Sequence, residues 1–150
     1  MQSINFDDGL KSFAINGDES RVIRFNPADP DMMTRYYKAL QTLKEAKGNL
    51  LTDVELNAEG KLSEEDKLGE TSCAMEEMNG MIREAMNLMF NSDVYDTIFA
   101  GQSPFCIVRG NKYLFEAFME SLQPVLESEI KAYQKASKKR MGKYLKGYKK

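Results

Sequence analysis

Apolar and polar positions along this chain change period once, near residue 27, and that change divides it into an extended and a helical part. In Lys11 to Asn16, Phe13 and Ile15 alternate with polar neighbours. In Arg21 to Asn26, Val22 and, less regularly, Phe25 do the same. The polar segment Gly17-Asp18-Glu19-Ser20 separates the two runs, so the pattern predicts a β-hairpin. A two-stranded hairpin is marginal alone in water, and a further strand over Ser3 to Phe6 is expected to join it. Asn26-Pro27-Ala28-Asp29-Pro30 then ends the strand and opens a helix. Asp29 suits the N-cap, and Pro30 suits the first helical position, where its missing N–H costs nothing. Met33, Tyr36 or Tyr37, Leu40 and Leu43 follow at helical spacing, and Gly48 is the expected stop.

Residues 48 to 62 are expected to form a mobile loop, with Asn57-Ala58-Glu59-Gly60 as a turn. A second helix is predicted from Ser63, whose acidic followers Glu64, Glu65 and Asp66 suit the positive end of the helix dipole. It extends to about Phe90, with Gly69 and Gly80 as weak points. A short helix over Asp93 to Phe99 follows, capped by Ser92 or Asp93 and ended by Gly101. Ser103-Pro104-Phe105 reads as an irregular link and Arg109-Gly110-Asn111-Lys112 as a turn. The last helix begins near Tyr113 and carries Leu114, Phe115, Phe118, Leu122, Val125, Leu126 and Ile130, with Pro124 kinking or splitting it. The expected fold is α+β: mainly helical, with an N-terminal β-hairpin and a long C-terminal helix. Residues 1–130 form the compact domain and residues 131–150 a basic helical tail.

Composition narrows the function classes. With 150 residues, 42% hydrophobic and 29% charged, the chain can bury one real core and is not generally disordered. The net charge of -2 hides an asymmetry. Lys131, Lys135, Lys138, Lys139, Arg140, Lys143, Lys146, Lys149 and Lys150 crowd the tail with no acidic residue among them, so the rest of the chain is acidic. Such a molecule can attract its own copies or an acidic partner. No apolar run approaches the roughly 20 residues that cross a bilayer. The N-terminus has neither the basic flank nor the apolar stretch of a secretory signal, and a cytoplasmic protein without membrane contact is expected.

The chemistry of catalysis is thinly represented. Histidine is absent, and Cys73 and Cys106 match no metal-ligand spacing, so no metal or cofactor is expected and both thiols read as buried small hydrophobes. Acidic clusters sit at turns and helix starts, where capping explains them. No phosphate-binding glycine loop or nucleophile elbow occurs. The expectation is a binding protein, not an enzyme.

Two features are candidates for binding. Met75, Met78, Ile82, Met86 and Met89 fall on one helical face, widened by Met81, Ala85 and Leu88. Such a stripe ordinarily means burial, yet adaptable Met side chains also serve surfaces that receive varied partners. Tyr113, Phe115 and Phe118, at the aromatic start of the last helix, are added as client contacts. Lys138, Lys139, Arg140 and Lys143 are the candidates for electrostatic docking. Nucleic-acid binding would use these lysines with Tyr133, Tyr144 and Tyr148 for stacking, but a single Arg and the lack of a reading motif argue against it.

The order of pieces resembles the tail assembly chaperones of siphoviruses and prophages of Gram-positive bacteria. The resemblance rests on Phe25 to Pro30 leading into a helix, then Asp93-Val94-Tyr95-Asp96-Thr97-Ile98-Phe99, Ser103-Pro104-Phe105 and the end Lys139 to Lys150. It covers most of the chain in order, most weakly over residues 48 to 70. It implies a chaperone that coats the helical tape measure protein in the host cytoplasm until tail tube subunits displace it, and that is absent from the finished virion. Tape measure protein, tail tube protein and further copies of the chain are the implied partners. A longer form made by frameshifting occurs in many relatives of this kind. Readings of other classes are a nucleic-acid-associated regulatory protein using the basic tail and a structural tail connector or completion protein.

Overall fold

A computed structural model describes the backbone of residues 1–58 and 64–148 and the side chains of residues 1–49 and 64–143. Strands β1 (Lys11–Ile15) and β2 (Asp18–Phe25) pair antiparallel. Asn16 and Gly17 turn the chain with φ of 53° and 74°, the left-handed pair that matches strand twist in a tight hairpin. The register sets Phe13 opposite Ile23 and Ala14 opposite Val22, with a bulge between Ala14 and Ile15. Ile23 and Phe25 are therefore the buried positions of β2, and Val22 faces solvent. This corrects the alternation expected from sequence, because a one-residue difference in register exchanges the two faces of a strand. The strand expected over Ser3 to Phe6 is absent, and residues 1–10 carry no regular structure. The carboxylates of Asp7 and Asp8 accept the N–H groups of Gly9 and Leu10 at 3.0 and 3.1 Å. These local bonds compete with a strand ladder.

Helix α1 (Pro30–Ala58) starts as expected. Asp29 Oδ1 accepts the Asp31 N–H at 2.9 Å, and Pro30 opens the first turn. Met32, Ala39, Leu43 and Ala46 are buried, whereas Met33 and Tyr37 are exposed, so the inward stripe is one position away from the expected Met33. Gly48 does not stop the helix. Its backbone is not left-handed, and a glycine inside a helix costs only about 1 kcal/mol relative to alanine. The expected loop is helical through Ala58; Glu59 to Leu62 and the Ser63 start lie outside the described residues.

Helix α2 (Glu64–Phe90) likewise runs through Gly69 and Gly80. It ends at Asn91, whose φ of 54° and N–H bond to the Leu88 carbonyl (3.3 Å) close it. It lies antiparallel beside α1, locked at the shared end by Arg35. That guanidinium donates to the Met89 carbonyl at 2.9 Å and pairs with Asp29 at 3.3 Å.

Helix α3 (Tyr95–Phe99) takes its cap from α2 rather than from Ser92 or Asp93. Asn87 Oδ1 accepts the N–H groups of Val94 and Tyr95 at 2.9 and 3.1 Å. Ala100, not Gly101, closes α3, with φ of 55° and its N–H on the Asp96 carbonyl. Arg21 of β2 donates to the carbonyls of Thr97 and Ile98 at 3.1 and 2.7 Å, holding hairpin and α3 together. Two short strands, β3 (Ile107–Val108) and β4 (Lys112–Tyr113), flank the turn expected at Arg109 to Asn111.

Helix α4 (Leu114–Tyr148) passes Pro124 unbroken, with Pro124 exposed. A column of rings joins the elements. Phe13 stacks on Phe25 at 4.8 Å, Phe25 meets Phe90 edge-on at 4.8 Å, and Phe118 meets both Phe90 and Phe99 at 6.0 and 6.2 Å. The fold is thus α+β and mainly helical, with an N-terminal hairpin and a long C-terminal helix. Core packing along α4 ends at Ile130. From Lys131 to Lys143 the same helix continues with nearly every side chain in solvent.

Candidate helix-binding groove

Apolar side chains on α1 outnumber those that α2 can cover. Met32, Ala39, Leu43 and Ala46 face α2 and the core, while Tyr36 and Leu40 are only partly buried and look toward α4. Between α1 and α4 lies a groove of about 310 Å³, with Tyr36, Leu40 and Leu43 as one wall and Phe115, Met119 and Gln123 as the other. Lys44, Lys47, Glu116 and Glu120 form its charged rim. Its floor is apolar and its edge polar, the arrangement that holds an amphipathic segment.

Local bonds fix the rim. Lys47 of α1 reaches Glu116 of α4 at 3.1 Å and lies 5.8 Å from the centre of the Tyr113 ring. Glu116 also accepts the Tyr113 N–H at 3.0 Å, which caps the first turn of α4. Partial burial raises the Glu116 pKa, but the Tyr113 N–H and Lys47 outweigh it and hold the carboxyl below its ordinary value. Glu120 pairs with Lys112. Burial, and after it the charge of Glu127, raises the Tyr36 phenol, so at neutral pH its hydroxyl remains a donor at the groove wall.

The residues expected from sequence to contact a client divide sharply. Met78, Ile82, Met86 and Met89 are buried at 2% exposure or less, and Phe115 at 3%. This corrects their assignment as a contact surface, because α1 covers the Met face along α2 and the aromatic column closes its end. Met75, Tyr113 and Phe118 are half-buried. Phe118 belongs to the aromatic column, while Tyr113 stacks against Phe115 at 5.8 Å beside the groove. Of the sequence-expected contacts, only Phe115 lines the α1–α4 groove.

Lys138, Lys139, Arg140 and Lys143 are exposed on the projecting part of α4. The side chains of Tyr144 and Tyr148 lie outside the described residues. Cys73 is exposed and Cys106 half-buried, so neither is the buried hydrophobe expected. Tyr36 and Leu40 were missed as contact candidates. Their signal was a stripe on α1 wider than one neighbouring helix can cover. Among the described residues, no helix is long and apolar enough to cross a membrane. Comparison with protein-family models, with curated proteins and with solved structures finds no match to the chain.

Proposed function

We propose that the protein is a tail assembly chaperone that holds the helical tape measure protein of a long-tailed virus in soluble form, acting by binding and not by catalysis. The observation that supports this reading is the open apolar groove between α1 and α4. It presents the partly exposed Tyr36 and Leu40 above a floor of buried Leu43, Phe115 and Met119, while its rim stays charged. A tape measure helix exposes apolar stripes that aggregate unless covered, and a helix laid in a groove has its anchors every three or four residues. The solvated basic stretch of α4, carrying Lys138, Lys139, Arg140 and Lys143, adds attraction for acidic stretches of the same client. Release to incoming tail tube subunits requires modest affinity at each site, which many copies along one client supply.

Co-expression with a helical tape measure fragment tests the reading. The fragment is expected in the soluble fraction only when the chain accompanies it. Leu40→Glu, which places a charge on the groove wall, should return it to the pellet. A fragment equally insoluble with and without the chain overturns the proposal.

A further inference from the structure

Ten residues precede β1 without regular structure, and their apolar side chains lie open: Ile4 is 90% and Phe6 76% exposed. Polar and apolar residues alternate over Ser3-Ile4-Asn5-Phe6, so in an extended chain Ile4 and Phe6 share one face. The base of this arm is fixed. Gly9 has φ of +71°, and a Cβ there would fall 2.8 Å from Asn26 Nδ2. The Gly9 and Leu10 N–H groups donate to the Asp7 and Asp8 carboxylates, which shapes this base as two successive Asx turns.

A receptor of matching shape exists on the same molecule. β1 pairs with β2 alone, and among the described residues no strand occupies its other edge. Beside it, between the hairpin and α4, runs a second groove of about 160 Å³. Phe13, Ile15, Phe118, Leu122 and Val125 line it, and no charged side chain enters it. An unpaired strand edge over an apolar groove is a template for an added strand: main-chain bonds give the attachment and side-chain pockets give the register.

We propose that the N-terminal arm of one copy adds as a strand to the β1 edge of a second copy, seating Ile4 and Phe6 in the groove between that copy's hairpin and α4. The arm offers what the edge lacks: an extended run with Ile4 and Phe6 on one face and no ladder of its own. Each copy carries one arm and one edge, so the contact closes reciprocally in a pair or propagates into a row. The α1–α4 groove takes no part, so failure of the client proposal leaves this one standing.

Sedimentation velocity across a concentration series is the test. The wild-type chain should associate as concentration rises. Ile4→Asp/Phe6→Asp, which alters only exposed positions, should weaken association roughly a hundredfold. In a mixture of ¹⁵N-labelled and unlabelled copies bearing the photocrosslinker p-benzoylphenylalanine in place of Phe6, crosslinks should join the arm of one isotope to Phe13–Asn16 or Leu122–Val125 of the other. A wild-type chain that stays monomeric throughout overturns the proposal. So does a double variant that associates like wild type, or crosslinks that run within one copy or to other surfaces.

Discussion

The Met face of α2 and the α1–α4 groove are both helical and apolar, yet one is closed and the other open. The difference lies in the neighbours. α2 has α1 along its length and the Phe25–Phe90–Phe118 column at its end, so Met78, Ile82, Met86 and Met89 have no path to solvent. Among the described residues, the outer stripe of α1 faces α4, which meets it across a gap through the rim pair Lys47–Glu116. An apolar stripe therefore becomes core or contact surface according to what the topology sets beside it, and its composition does not decide which.

The largest way to break this comparison is to truncate one residue on each side. Met86→Ala removes a fully buried side chain and should cost about 2–5 kcal/mol of stability, through lost burial and the cavity left behind. Leu88→Ala, two residues on and exposed on the opposite face of the helix, should cost within about 0.5 kcal/mol. Urea denaturation of the two variants reads the contrast. If Met86→Ala unfolds no more easily than Leu88→Ala, the Met face is not closed and its exclusion as a contact surface fails.

A smaller effect is expected at Asn87, where the closed region is tied to α3. Its Oδ1 serves the N–H groups of Val94 and Tyr95, a cap supplied across a turn from another helix. Asn87→Ala should cost about 1–2 kcal/mol, as loss of an N-cap oxygen does. Asn87→Asp should retain most of that, since its carboxylate still accepts. Ser92→Ala should be near neutral in the same denaturation measurement, and a larger loss at Ser92 than at Asn87 would refute the cross-helix cap.

The same contrast explains what could be read from the sequence. The hairpin, the Asp29–Pro30 start of α1, the α3 segment, the turn at Arg109 to Asn111 and the long last helix were legible because each has a local cause: a turn, a cap or a sustained period. What was not legible is non-local. Val22 and Ile23 exchange roles because register decides the face of β2. Gly48 looks like a stop until its backbone proves to be right-handed. Asn87 carries no mark of a cap, because the N–H donors it serves lie in a following segment. The Met stripe was correctly placed on one face, but whether that face is covered depends on α1. Tyr36 and Leu40 were seen as part of a helical stripe, and only the standing-off of α4 turns them into a groove wall.

The smallest effect concerns the open region and its rim. Glu116 is held ionised by the Tyr113 N–H and by Lys47, against the opposing influence of partial burial, so its pKa in the folded chain is lowered. A lowered carboxyl pKa stabilises the folded state at pH values above the ordinary glutamate pKa of about 4.3. That contribution is lost as pH falls through the lowered folded value. Because Lys47 and Glu116 are partly solvated, the pair should contribute about 0.2–1 kcal/mol, screened further by salt. Glu116→Gln keeps an acceptor for the Tyr113 N–H but has no charge to lose. Between pH 6 and pH 3 wild type should therefore lose more stability than Glu116→Gln, by no more than that amount. Urea denaturation at low and high salt checks this, with the gap shrinking at high salt. Client binding would sharpen the point: if this pair holds the groove's width, acidification should alter affinity in wild type and not in Glu116→Gln. Equal pH dependence in the two proteins would mean that the rim pair does not hold the groove open, and the aromatic packing of Tyr113 and Phe115 would then be what keeps α4 away from α1.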